Sequence, residues 1–140
     1  GEGNLLLLHG ATGTGKTHLA AAAVNALRAE GVATAFAVVP DLLDWLRATF
    51  RPSSGADFDE SFEQLRNVPA LVLDDVGAQS DTPWAQEKLY QLVNHRLVAG
   101  LATLCTSNVL LERVEPRLRS RLAEGRLVET GDLDARVMER

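Results

Sequence analysis

Eight consecutive residues carry the clearest chemical signal in the chain. Gly10-Ala11-Thr12-Gly13-Thr14-Gly15-Lys16-Thr17 follows the pattern G-x-x-x-x-G-K-[ST]. A loop that wraps a phosphate must turn its backbone N–H groups inward, with no Cβ in the way, and glycine permits this. A helix starting at the end of such a loop aims its free N–H groups and the positive end of its dipole at the same phosphates. Lys16 adds a full positive charge for the β- and γ-phosphates of a nucleotide, and Thr17 offers a hydroxyl to Mg²⁺. Gly10, Ala11, Thr12, Gly13, Thr14, Gly15, Lys16, Thr17 and the adjoining His18 form the expected binding set. A dinucleotide fingerprint is the rival glycine pattern. It fails because Gly13-x-Gly15 would need Gly or Ala at position 18, where His18 stands.

Two further stretches complete a possible site. "LVLDDVG" ends an apolar run in Asp74 and Asp75. Mg²⁺ needs hard oxygen ligands and keeps several of its waters. Asp74 is expected to hold one of those waters, and Asp75 to orient or deprotonate an attacking water. "CTSN" closes another apolar run, and Asn108 would emerge beside the γ-phosphate as a sensor of it. An Asp pair or an Asn at a strand exit is common in ordinary turns, so these residues gain meaning only beside the glycine loop.

The elements needed to position these groups can be read off the pattern. Residues 5–9, 32–39, 70–77, 101–108 and 126–130 read as strands, three of them almost wholly apolar. Helices are expected from Gly15 to about Ala29, from near Asp41 through "DLLDWLRATF", over "FDESFEQLRN", and over "EPRLRSRLAEG". A further helix has Thr82 as its cap, Pro83 in its first turn and Gly100 beyond its end. "RPSSGAD", 51–57, is the clear loop. Alternation of strand and helix predicts an α/β fold with a parallel sheet covered on both faces, which binds ligands beyond the carboxyl ends of its strands.

Composition sets limits. One compact domain accounts for 140 residues. No apolar run approaches the roughly 20 residues of a membrane span, so no membrane partner is expected. A net charge of −5 excludes a surface that is basic throughout, though arginines crowd positions 113–126. The lone Cys105 cannot form an internal disulfide and fits a cytoplasmic protein. The sequence opens almost directly on a strand, which reads as a core domain cut from something longer.

GATGTGKT, LVLDDVG, TSN and RLRSRLAEG, in this order, resemble the AAA+ ATPases. Within them the chain is most similar to the DnaC/DnaI-type replicative helicase loaders and to the IstB transposition ATPases. The resemblance runs from Asn4 to about Thr130. It implies a three-layer α/β/α sandwich of the P-loop NTPase type, with a five-stranded parallel sheet in the order 5-1-4-3-2. It implies ATP and Mg²⁺ bound between subunits of a homo-oligomer, single-stranded DNA, and a ring helicase engaged through an N-terminal region outside this chain. Arg121 matches the arginine finger, with Arg117 and Arg119 as alternates. Positions 41–67 match an inserted helical element that touches DNA in the loaders. There Arg47, Arg51, Ser53 and Ser54 could meet phosphates. Trp45 could stack a base, but its spacing with Leu42, Leu43 and Leu46 favours the core.

The chain also departs from that pattern. Asp75 stands where many AAA+ proteins have Glu, and "GDLDARVMER" is too short for a helical lid, which leaves Arg136 as a surface residue. Weak nucleotide binding by the isolated core is the consequence expected. Three other functions use the same loop: an IstB-like transposition ATPase, a small-molecule kinase, and a nucleotide switch without turnover. A kinase should carry an acceptor pocket and a basic lid after the third strand, where a long amphipathic helix stands instead.

Overall fold

The structure, a computed structural model, describes residues 4–10, 15–49, 55–77 and 82–130. Strand β1 (Leu5–His9) leads to helix α1 (Lys16–Ala29), then β2 (Thr34–Val38), α2 (Val39–Thr49) and α3 (Gly55–Asn67). Next come β3 (Ala70–Asp74), α4 (Pro83–Ala99), β4 (Ala102–Ser107), a 3₁₀ turn (Leu111–Arg113), α5 (Pro116–Leu122) and β5 (Arg126–Glu129). The five strands form one parallel sheet in the order β2-β3-β4-β1-β5. This is the expected order, 5-1-4-3-2, read from the other edge.

Strand alternation divides the side chains between two faces. Leu7, Leu71, Leu73 and Cys105 enter a large core with Leu42, Leu43 and Leu46 of α2, Phe62 of α3, Leu89, Leu92 and Val93 of α4, and Leu118 and Leu122 of α5. On the opposite face Val72 and Leu104 pack against Ala20 and Val24 of α1. Fully burying one such leucine stabilises the fold by about 1.5–3 kcal/mol. A helix layer on each face of the sheet makes the three-layer sandwich.

The helix ends follow their chemistry. Thr82 caps α4 by accepting the Ala85 N–H at 3.3 Å, Pro83 opens it, and Gly100 leaves it at φ 73°. Glu115 caps α5, its carboxylate accepting the Leu118 N–H at 2.9 Å.

Three readings need correction. The second strand stops at Val38, and Pro40 lies in the first turn of α2 rather than at a strand end. This suits proline, because the first-turn N–H groups have no partner inside the helix. Helix α3 begins at Gly55, inside the segment expected to be a loop. Trp45 is 43% exposed, whereas Leu42, Leu43 and Leu46 are buried. At 100° per residue the buried arc runs from Leu42 through Leu46 to Leu43, and Trp45 falls about 60° outside it. The remaining differences trim one to three residues from strand and helix ends, the third strand stopping at Asp74 rather than Gly77.

Candidate functional site

Neighbouring strands β3, β4 and β1 bring three chain exits to one edge of the sheet. Gly10 follows β1, and its N–H donates to the Ser107 carbonyl at 3.2 Å, so β1 and β4 stay joined to their ends. Ala11, Thr12, Gly13 and Thr14 lie outside the described residues. Beyond them Gly15 takes the left-handed conformation, φ 87°, which a Cβ would oppose. Lys16 then opens α1.

Lys16 is 4% exposed, and its Nζ donates to the Gly10 carbonyl at 2.9 Å. Burial lowers its pKa, while the negative charges of Asp74 and Asp75 pull it back up. The next residue, Thr17, sets its Oγ1 3.2 Å from each carboxylate oxygen of Asp74. Asp74 is itself buried at the end of β3. A hydroxyl and a carboxylate held together across 57 residues of sequence make a hard-oxygen donor pair. The exposed His18 follows on α1.

Asp75 lies just past the strand rather than within it. Its φ is 69°, the sole positive value at a non-glycine among the described residues. Aspartate tolerates this conformation better than most residues, at some cost. Alternation would turn Asp75 away from Asp74. The left-handed backbone instead brings its Oδ1 to the Asn108 amide, which donates at 3.1 Å.

Thr106 sits beneath both acids, and sequence reasoning passed over it. Its hydroxyl donates to Asp74 Oδ1 at 2.5 Å and accepts the Asp75 N–H at 2.8 Å, while its carbonyl accepts the Val76 N–H at 2.7 Å. A signal was present: in the strand expected over 101–108, Thr106 and Asn108 are two apart and so would share a face. A cavity of about 400 Å³ opens beside this group, lined by His9, Gly10, Asn108, Leu110 and Glu129 among others.

Lys16, Thr17, Asp74, Asp75 and Asn108 thus come together in one subunit, and the arginines do not join them. Arg121 donates to Glu124 at 2.8 Å. Arg117 donates to Glu87 at 2.6 Å and lies over the Tyr90 ring, 4.5 Å from its centre. Arg119 reaches the Glu112 carbonyl at 3.1 Å. All three extend from α5. On α2 Arg47 pairs with Asp44. Arg51, Ser53, Ser54 and Arg136 lie outside the described residues. Among the described residues no helix is long and apolar enough to cross a membrane.

Residues 2–122 match the model of the family described as IstB-like ATP binding protein. The chain is 30% identical over 125 residues to the replicative helicase loader DnaC of Escherichia coli strain K12, covering 88% of this chain and 51% of that protein. It therefore spans about half the length of that relative. A crystal structure of DnaI matches with a TM-score of 0.78 and 26% identity, covering 91% of this chain and 73% of that one. The replication initiator DnaA, bound to AMPPCP and single-stranded DNA, matches with a TM-score of 0.80 and 26% identity over 90% of this chain and 40% of that one.

Proposed function

The chain belongs to the family of IstB-like ATP binding proteins, and from that premise we propose that residues 1–140 form the core of a cytoplasmic, Mg²⁺-dependent ATPase. It binds and hydrolyses ATP at the exits of β1, β3 and β4, and it serves a loader that assembles on single-stranded DNA and delivers a ring helicase. The observation that carries the ATP site is the Thr17–Asp74 contact beside a buried Lys16. It supports phosphate binding because a buried cation and a hard-oxygen pair then border the glycine loop together.

Gly10 and Gly15 frame the loop, and Lys16 gives its charge to the terminal phosphates. Thr17 would hold Mg²⁺ and Asp74 one of its waters, and the ion would supply charge that offsets the phosphate oxygens. Asp75 accepts a proton from water as the water oxygen bonds to the γ-phosphorus and the bond to the ADP oxygen breaks. Asn108 orients Asp75 and that water. Arg121 acts on the site of a neighbouring subunit; its position on α5, where it pairs with Glu124 and not with Asp74 or Asp75, supports action in trans. The similarity to DnaC supports a helicase partner, and the DnaA complex with single-stranded DNA supports a DNA strand.

ATP turnover of the wild type and of Asp75→Asn, with and without single-stranded DNA, tests the reading. Asp75→Asn should lower kcat by about 10²–10⁴-fold and leave nucleotide affinity within a few-fold. A wild type that binds ATP without turnover under either condition would make the protein a nucleotide switch. The family description favours one second reading, a transposition ATPase with the same core. A pull-down with ATP present separates the two, by recovering a ring helicase or a transposase.

A further inference from the structure

We propose that Thr106 is the positioning residue of this site, its single hydroxyl fixing both carboxylates at once. The proposal rests on the ATP site described above for its catalytic consequence, and on local geometry alone for its structural one. The Thr106 side chain is 2% exposed, so water does not compete for its hydroxyl. The proton of that hydroxyl is given to Asp74 Oδ1, and a lone pair receives the Asp75 N–H. The two bonds do different work. The first holds the Asp74 carboxylate at a fixed rotation, with both of its oxygens 3.2 Å from Thr17 Oγ1. The second secures the backbone of Asp75 at φ 69°, the conformation that carries its carboxylate to Asn108.

Strand register explains why β4 supplies this hydroxyl. Leu73 pairs with Cys105, so Asp74 and Thr106 come next, side by side. Leu104, on the same side of β4 as Thr106, packs beneath α1, and the first turn of α1 carries Thr17. Asp74, Thr106 and Thr17 therefore converge on one face of the sheet. A Val at position 106 would keep the shape and remove only the hydroxyl. Asp75 N–H would then lose its acceptor and Asp74 its shortest bond. That leaves the turn held by Val76 N–H on the Thr106 carbonyl, Ser107 on the Val76 carbonyl and Asn108 on the Asp75 carboxylate, none of which binds the Asp75 backbone N–H.

The test compares wild type, Thr106→Val and Thr106→Ser in three measurements on the purified protein. Fluorescent-ADP binding in EDTA reports the glycine loop and Lys16. The same titration against Mg²⁺ reports Asp74, and kcat reports Asp75. Thr106→Val should bind nucleotide in EDTA within about twofold of wild type. Its half-saturating Mg²⁺ concentration should rise, and its kcat fall, by about 10–100-fold each, as when groups that orient ligands are removed. Thr106→Ser should restore both to within a few-fold. A crystal structure of Thr106→Val should find Asp75 out of the left-handed region.

Wild-type Mg²⁺ dependence and kcat in Thr106→Val would overturn the proposal, and so would a Thr106→Ser as impaired as the valine variant. If Thr106→Val does not fold, Thr106→Ala and Thr106→Ser decide by the same comparison. A wild type that binds no nucleotide in either medium would defeat the ATP site instead. The φ of Asp75 in the variant crystal would then decide this proposal alone.

Discussion

Replacing Arg96 with Met should destabilise the fold by about 3–5 kcal/mol without touching the candidate site. Arg96 lies in α4 with 0% exposure. Its Nε donates to Thr103 Oγ1 at 2.9 Å, and one terminal nitrogen reaches the Ala102 carbonyl at 2.8 Å. The other reaches the carbonyls of Leu65 at 3.0 Å, Arg66 at 3.3 Å and Val68 at 2.7 Å. Leu65 and Arg66 belong to the last turn of α3, where carbonyls lack partners inside the helix and a cation is favoured. Burial pushes the guanidinium down to about 10, so it stays charged at neutral pH. Hydrogen bonds from a charged donor contribute about 1.5–3 kcal/mol each. The four bonds of 3.0 Å or less give a gross loss of roughly 6–12 kcal/mol by that figure. Relief from burying a charge returns several kcal/mol, which leaves the net figure above. With an m-value of about 2 kcal/mol/M, the urea midpoint should fall by about 1.5–2.5 M. Arg96→Lys should lie between, since an ammonium cannot span acceptors on both α3 and β4. Urea titration followed by circular dichroism measures this. A methionine variant within about 1 kcal/mol of wild type would refute the claim that this guanidinium joins α3 to β4.

Other outcomes follow from the same geometry. Lys16→Met should weaken nucleotide binding by about 10²-fold or more yet leave the urea midpoint close to wild type, because it removes a desolvated charge; equilibrium binding and unfolding read the two separately. Burial pushes the Cys105 thiol up to about 12 from 9.0, so the native protein should resist thiol reagents at pH 8 and react fully in denaturant. The sign of the linked pH effect is fixed: the folded thiol keeps a proton that the unfolded one releases, so its contribution to stability is intact below about 9 and lost as pH rises towards about 12. Cys105→Ala should flatten that part of the stability–pH curve. A Cβ on Gly125 would sit 2.6 Å from the Leu5 carbonyl oxygen, so Gly125→Ala should cost about 1–3 kcal/mol and speed hydrogen exchange where β5 meets β1.

Legibility in the sequence differed by scale. The β1–α1 unit and α4 could be read almost to the residue because punctuation and periodicity agree there: Thr82, Pro83 and Gly100 bound one helix, and Leu5–Leu8 is an unbroken apolar run that ends at His9 and Gly10. Strand order came from family resemblance, since nothing local in five short parallel strands says which are neighbours. Trp45 was misread because a leucine-rich helix offers a wide arc and spacing alone does not set its edge. Arg96 was invisible because its partners, Thr103 apart, are backbone carbonyls, which any sequence supplies. Of the site, the residues with distinctive chemistry were legible, and Thr106 was not, since threonine is an ordinary strand residue.

The position of β4 accounts for what it must supply. Neighbouring strands lie about 4.8 Å apart, so with β4 between them the ends of β1 and β3 are about 10 Å apart. The Gly10 carbonyl that holds Lys16 leaves β1, and the carboxylate that meets Thr17 ends β3. Any group acting between them must come from β4 or from the first turn of α1, which is where Thr17, Thr106 and Asn108 arise. A slip of one residue between β3 and β4 would set Cys105 or Ser107 beside Asp74, and each belongs to the opposite face of the strand. The acid pair thus depends on a register fixed by the apolar residues below it. Leu71, Leu73 and Cys105 must enter the large core, and that register brings a hydroxyl level with Asp74 on the face its carboxylate occupies, where Ser107 would point to the opposite face.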